Sequence, residues 1–226
     1  MNRKVITTKD GSSSIFWEEL NESYHSIHGA WQESLHVFIQ EGIDWFTKKH
    51  PHKTDIQVFE VGLGTGLNAI LTLQYALLNP HISISYHSVE AFPLTTSEME
   101  HLNYKALLDT HLVSYFSQIH TSSWNILHEF TPNFKFQKYH SKLNELILAE
   151  QQFDVIYYDA FAPTKQEEMW DLLSLTKARN LLASKGILVT YCAKGYVKRN
   201  LKALGMSVES PQGAAGKREM TRATKT

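Results

Sequence analysis

At 226 residues, with 42% hydrophobic and 20% charged side chains, the chain has an ordinary globular composition and enough length for one sizeable core. Residues 1–11 are polar with no apolar leader core, no run of about eighteen apolar residues occurs, and one cysteine, Cys192, rules out an internal disulfide; export and membrane-spanning helices are not expected, and a cytoplasmic location is. The net charge of −1 conceals a split: eight Lys/Arg from Lys194 onward face only Glu209 and Glu219, leaving the tail near +6 and the remainder near −7. Such a face can orient a polyanion, a phosphate backbone above all, although a merely solvated basic helix has the same composition.

Residues 1–54 precede the first clear strand and read as an N-terminal extension packed on the edge of a sheet built from residues 55–226. Tyr24 and Glu33 are candidate pocket residues there, because a segment folded over a sheet edge closes a site against water. Trp17, Trp31, Phe38, Ile39, Trp45 and Phe46 are expected to pack the segment onto the domain. His25, His28 and His36 have no acid or cysteine that completes a ligand set of recognisable spacing, so no metal site is expected.

An apolar run over 56–61 reads as a strand that breaks into Glu60-Val61-Gly62-Leu63-Gly64-Thr65-Gly66-Leu67-Asn68, with a helix following to about residue 78 and stopped by Asn79-Pro80. A second strand, 82–90, ends in Glu90. Glycines at the turn let a ligand approach the backbone, and the helix N-terminus presents unpaired N–H groups. Dinucleotide folds usually read G-x-G-x-x-G; here the third glycine follows after one residue and an acid stands two before the first. That E-x-G-x-G-x-G form resembles the loop of S-adenosylmethionine methyltransferases. It makes Glu60, Gly62, Gly64, Gly66, Asn68 and Glu90 cofactor-binding candidates, with Glu33 from the extension and Glu90 as acceptor for the ribose hydroxyls. A glycine turn in some other α/β protein is the plain alternative.

Pro93 opens a further helix, residues 109–133 show little periodicity, and strands are expected at 134–139, 153–158 and 187–192. Helices are expected at 142–150, 166–182 and 195–204, and strands at 206–210 and 219–224 close the chain around a turn at 213–216. Alternation of this kind predicts an α/β fold with a mostly parallel sheet and helices on both faces, and the C-terminal antiparallel hairpin makes it resemble the Rossmann-like class I fold of S-adenosylmethionine methyltransferases. The strand at 153–158 delivers Asp159-Ala160-Phe161-Ala162-Pro163 to the carboxyl edge of the sheet, where ligands of open α/β sheets bind. Methyl transfer to an amine requires proton loss and alignment with the sulfonium methyl. Asp159 is the candidate to orient the N–H bonds and offset developing charge, with Phe161 walling the methyl path or stacking on a base; a helix-capping role for Asp159 is the alternative. Cys192 is expected to be buried rather than nucleophilic.

Five ordered segments make the resemblance specific: residues 24–39, 61–68, 90–94, Asp159 to Pro163 with Lys165, Met169 and Trp170, and Gly216-Lys217-Arg218-Glu219-Met220. Together they resemble the methyltransferase domain of the bifunctional tRNA wobble-uridine modification enzymes (the MnmC family), free-standing relatives included. The resemblance implies S-adenosylmethionine-dependent methylation of 5-aminomethyl-(2-thio)uridine at wobble position 34. With that substrate, the basic residues Lys198, Arg199, Lys217 and Arg218 of the tail are expected to face the phosphates of the anticodon arm, and Tyr24 and Lys165 are further candidate substrate contacts. An oxidase domain is not implied, since the sequence stops at Thr226. Tyr139-His140-Ser141-Lys142 stands where many such enzymes place an adenine-binding acid, which leaves backbone atoms or Ser141 for that role. A small-amine methyltransferase or aminopropyltransferase, and a non-catalytic cofactor-binding RNA partner, are the other readings.

Overall fold

The computed structural model describes residues 2–214 and 216–226. Its main sheet has eight strands among these residues, in the order β10-β11-β9-β8-β4-β5-β7-β6. They are β4 (Asp55–Val61), β5 (Ser83–Glu90), β6 (His128–Thr131), β7 (Phe134–His140), β8 (Phe153–Tyr158), β9 (Leu182–Thr190), β10 (Met206–Glu209) and β11 (Thr221–Lys225). The central run β9-β8-β4-β5-β7 is parallel, while β11, β10 and β6 are antiparallel additions at the two sides. Every residue of β8 is buried, as expected for a central strand covered on both faces.

Strand alternation divides the core. Ile56 and Val58 of β4 face the helices at Leu67–Leu78 and Thr110–Thr121, whereas Phe59 and Val61 face Trp170, Leu175 and Leu201 on the other side. Glu60 shares the face of Ile56 and Val58 and therefore points beneath the helix that follows the glycine loop.

The extension is more structured than its sequence suggested. Three short strands, β1 (Arg3–Thr7), β2 (Ser13–Trp17) and β3 (Glu22–Ser23), form a separate antiparallel sheet. A helix over 30–49 follows, wound wider at Leu35–Asp44, where the Trp45 N–H reaches Gln40 O. This helix lies on the face of the main sheet rather than along its edge: Phe38 packs on Tyr157 with ring centroids 5.2 Å apart, and a Cβ on Gly42 would meet Tyr157 and Val189. Its apolar stripe of Val37, Phe38, Ile39, Ile43 and Phe46 explains the placement.

Other differences are local. The expected helix at 142–150 is a single turn, with the Leu146 N–H on Lys142 O; one turn does not propagate without a longer buried stripe. The expected helix at 166–182 is a 3₁₀ turn (Glu167–Met169) and a separate helix (Leu172–Leu181), because Trp170 is drawn fully into the core and Asp171 caps the new start by accepting from Ser174 N at 2.8 Å. Residues 109–133, which lacked usable periodicity, hold the helix Thr110–Thr121 and the strand β6. The closing strands pair as expected, and of the turn at 213–216 Ala215 lies outside the described residues. No helix among the described residues is long and apolar enough to cross a membrane.

Candidate active site

A cavity of about 320 Å³ opens at the carboxyl ends of β4, β5 and β8. Its floor is the glycine loop. Gly62 has φ 92° and receives no side chain because a Cβ there would stand 2.7 Å from the Asp159 carbonyl oxygen; Gly64, φ 50°, lies beneath the Tyr24 ring. The loop is tied to its neighbours by Gly62 N–H to Val89 O (2.9 Å) and Gly64 N–H to Glu90 Oε2 (2.9 Å). Gly66 starts the helix Leu67–Leu78 with φ 73° and is not on the cavity wall.

Glu90 is on the wall, with Oε1 accepting the Phe92 N–H at 2.8 Å. A surface carboxylate at the end of the second parallel strand, beside a loop with room for a ligand against its backbone, fits the ribose and amino-acid portions of S-adenosylmethionine. Replacement of Glu90 by Ala should weaken binding of S-adenosylhomocysteine by about 1–3 kcal/mol in calorimetry, through loss of charge-assisted contacts; unchanged affinity would remove Glu90 from the cofactor site.

The second acid of the loop motif is elsewhere. Glu60 is fully buried behind the wall, with Oε2 accepting from Ser88 Oγ at 2.7 Å and Oε1 without a hydrogen-bond partner among the described residues. Burial, and next the Asp159 charge, push its carboxyl up to about 8, against the hydrogen bonds that favour the ion. At neutral pH Glu60 is mainly a neutral acid beneath the site.

Asp159 and Asn68 meet on the cavity wall, where Asn68 Nδ2 donates to Asp159 Oδ2 at 2.8 Å. Burial, and then the Glu33 carboxylate, raise Asp159 to about 7, with Asn68 and Lys217 acting in the opposite sense. Among the described residues Asp159 makes no capping contact: the helix Leu172–Leu181 is capped by Asp171. Above the acid stands an aromatic wall. Phe161 lies edge-on to Tyr24 at 4.9 Å and to Trp17 at 5.7 Å, and Trp17 lies edge-on to Phe92 at 5.3 Å, all four lining the cavity. Trp17 was expected only to pack the extension; Phe92 stands two residues past Glu90, a position that could have marked it.

Glu33 is buried off the wall, accepting from Ser26 N at 2.8 Å and paired with Lys217, whose ammonium sits 4.5 Å over the Tyr191 ring. Lys198 is also engaged, pairing with Glu219 and Ser210, each at 2.7 Å. Arg222 and Lys225 are buried against Glu41 and Glu209 and against Leu182 O. Lys194, Arg199, Lys202 and Arg218 are exposed, and Lys165 is half-buried two residues past Pro163. Three of the eight basic residues of the tail are thus paired with acids within the fold, and Lys225 is buried on a carbonyl. His25 bonds Ser14 and His36 bonds Gln212 O, so the histidines of the extension serve different neighbours.

The sequence profile of a family described as S-adenosyl-L-methionine-dependent methyltransferase matches residues 111–226. A tRNA 5-methylaminomethyl-2-thiouridine biosynthesis bifunctional protein MnmC of Pseudoalteromonas atlantica is 28% identical over 222 residues, covering 87% of this chain and 30% of the relative. The protein of that name from Leptospira interrogans is 29% identical over 230 residues, covering 96% and 34%. The chain spans about a third of the length of these curated relatives. Among solved structures, MnmC2 from Aquifex aeolicus aligns over 100% of this chain and 70% of its own, with TM-score 0.80 and 23% identity, a likeness of fold. Spermidine synthase from Thermotoga maritima aligns over 99% of this chain and 68% of its own, with TM-score 0.54 and 10% identity.

Proposed function

The chain belongs to the S-adenosyl-L-methionine-dependent methyltransferases, and from that premise we propose that it methylates the amine of 5-aminomethyl-(2-thio)uridine at the wobble position of tRNA. The observation that carries this reading is the pairing of Asp159 with Asn68 at the mouth of the cofactor loop, under an aromatic wall. An acid raised to about 7 in such a place suits an acceptor that must shed a proton. What the curated relatives are named for supports tRNA as the acceptor's carrier.

When bound, S-adenosylmethionine supplies an electrophilic methyl on sulfur. Gly62 and Gly64 would admit its amino-acid end, and Glu90 would accept from its ribose. Asn68 holds Asp159 by one oxygen, which leaves the other to accept an N–H of the incoming amine and take up its proton. Phe161, Tyr24 and Trp17 exclude water and confine the amine along one line of approach. A carboxymethylated amine would bring a carboxylate toward Asp159 and Glu90 on the cavity wall, and like charges in reduced dielectric repel.

Purified protein with cofactor and tRNA carrying 5-aminomethyl-2-thiouridine should yield the 5-methylaminomethyl nucleoside by mass spectrometry, with the carboxymethylaminomethyl form unchanged. Equal methylation of unmodified transcript, or of free polyamine in preference to tRNA, would overturn the proposal.

The exposed cations are the tRNA contacts of this reading. Arg199→Ala and Arg218→Ala should each weaken tRNA binding and reduce its logarithmic salt slope by somewhat under one unit per lost phosphate contact. Lys198→Ala and Lys217→Ala should act mainly through the ion pairs they break, on thermal stability. A salt slope unchanged in both arginine variants would move the tRNA face elsewhere.

A further inference from the structure

Arg3 was not singled out in the sequence, yet its guanidinium joins two residues that line the cavity, Tyr24 and Phe92, to Pro93 and Glu98 beside it. Only 3% of its side chain is exposed. Nε and Nη2 donate to the two oxygens of Glu98 at 2.7 and 3.0 Å, and Nη2 donates to Pro93 O at 3.0 Å. Nη1 donates to Phe92 O at 2.8 Å and to the Tyr24 hydroxyl at 3.1 Å, so all five N–H groups are used. The Trp17 ring lies beside it, 5.7 Å from centroid to guanidinium carbon.

These contacts form two arms. On the cofactor side, Arg3 holds the Phe92 carbonyl while the Phe92 N–H is held by Glu90, whose other oxygen holds the Gly64 N–H. On the acceptor side, Arg3 holds the Tyr24 hydroxyl, and the Tyr24 ring covers Gly64 and meets Phe161 edge-on. Well-packed apolar side chains can fill a buried ion pair's place at little or no cost in stability, so fastening β1 to the domain does not by itself call for a buried guanidinium. A planar fork with five directed donors is required to hold five acceptor atoms on four residues in one geometry.

We propose that Arg3 is a positioning residue that couples the cofactor loop to the aromatic wall of the acceptor site. Its acceptor half rests on the function proposed above; its cofactor half does not. Through Phe92 and Glu90 it sets the ribose acid, and through Tyr24 it sets the wall against which the amine is aligned. Lysine at this position keeps the charge for Glu98 and loses the fork.

The test compares Arg3→Lys, Tyr24→Phe and the double variant, with melting temperature and the folded fraction recorded for each. Tyr24→Phe removes only the hydroxyl that Arg3 holds and keeps the ring. Arg3→Lys should weaken S-adenosylhomocysteine binding about tenfold and lower kcat per folded enzyme about tenfold, with less change in KM for tRNA. Tyr24→Phe should reproduce the kcat loss without the loss of cofactor affinity, and the double variant should have a kcat no lower than Arg3→Lys alone. Multiplying kcat losses, or variants whose melting temperature falls while kcat per folded enzyme and cofactor affinity stay at wild-type values, would overturn the coupling. The cofactor measurement needs no acceptor. If wild-type protein uses no tRNA, the acceptor reading fails, and a tenfold loss of S-adenosylhomocysteine affinity in Arg3→Lys supports the cofactor arm while unchanged affinity refutes it.

Discussion

Asp159→Ala should lower the rate of methyl transfer by about two to four decades while leaving S-adenosylhomocysteine affinity within a few-fold of wild type. The argument is positional. Asp159 is the acid that the structure places against Asn68 on the cavity wall, whereas Glu60 is behind it and Glu33 is spent on Lys217 and Ser26. Because its carboxyl titrates near 7, turnover in the wild type should rise between about pH 6 and pH 8 as the acceptor for the proton becomes available. Stability should move the other way. A carboxyl at about 7 in the fold and near its ordinary value of about 3.9 when unfolded binds more protons in the native state between those two values, so its contribution to stability falls as pH rises from about 4 to about 7 and stays low above it. Asp159→Asn, which keeps an acceptor for Asn68, should therefore melt at or above the wild-type temperature at pH 8 while remaining inactive. Full turnover in Asp159→Ala would demote the residue to a structural part of the strand end.

The second large effect is expected at Gly62. An alanine there would need φ near 92° and would set its Cβ 2.7 Å from the Asp159 carbonyl oxygen, a backbone atom that cannot swing away. Strain of about 1–3 kcal/mol plus the clash would open the junction of β4 and β8 where cofactor loop and acid meet. Cofactor affinity should fall by about a hundredfold or more, together with a lower melting temperature. Gly64→Ala should be milder for the fold, since φ 50° lies in the left-handed region and the added carbon meets the Tyr24 ring at 3.0 Å, a side chain able to turn. Calorimetry showing wild-type affinity in Gly62→Ala would separate the loop from cofactor binding.

What local sequence could reveal is seen best on the strands that flank the site. Apolar runs ending at Glu90 and at Tyr158, the glycines at 62, 64 and 66, and the proline after Phe92 each carry their structure in their own residues, because a buried parallel strand and a positive-φ turn restrict composition locally. The aromatic wall had no such signature. Trp17 ends a short strand of a small sheet and Tyr24 directly follows another, and the placement of that sheet depends on Arg3, Glu98 and Phe92, residues separated by up to 95 positions. Irregular periodicity also concealed the helix over 30–49, since its wider winding at Leu35–Asp44 departs from the spacing by which an amphipathic helix is recognised.

By itself, then, the sequence determined most of the strand and helix alternation after residue 55, the glycine loop and the two strand-end residues Glu90 and Asp159, all properties of contiguous residues. Only the tertiary structure decided which charges are available to a ligand. The motif acid Glu60 turns away because alternation along β4 directs it beneath a helix; Lys198 and Lys217, indistinguishable in composition from Arg199 and Arg218, are consumed by Glu219 and Glu33. Ion pairs and burial depend on distances between remote segments, and a charge count along the chain contains no such distances.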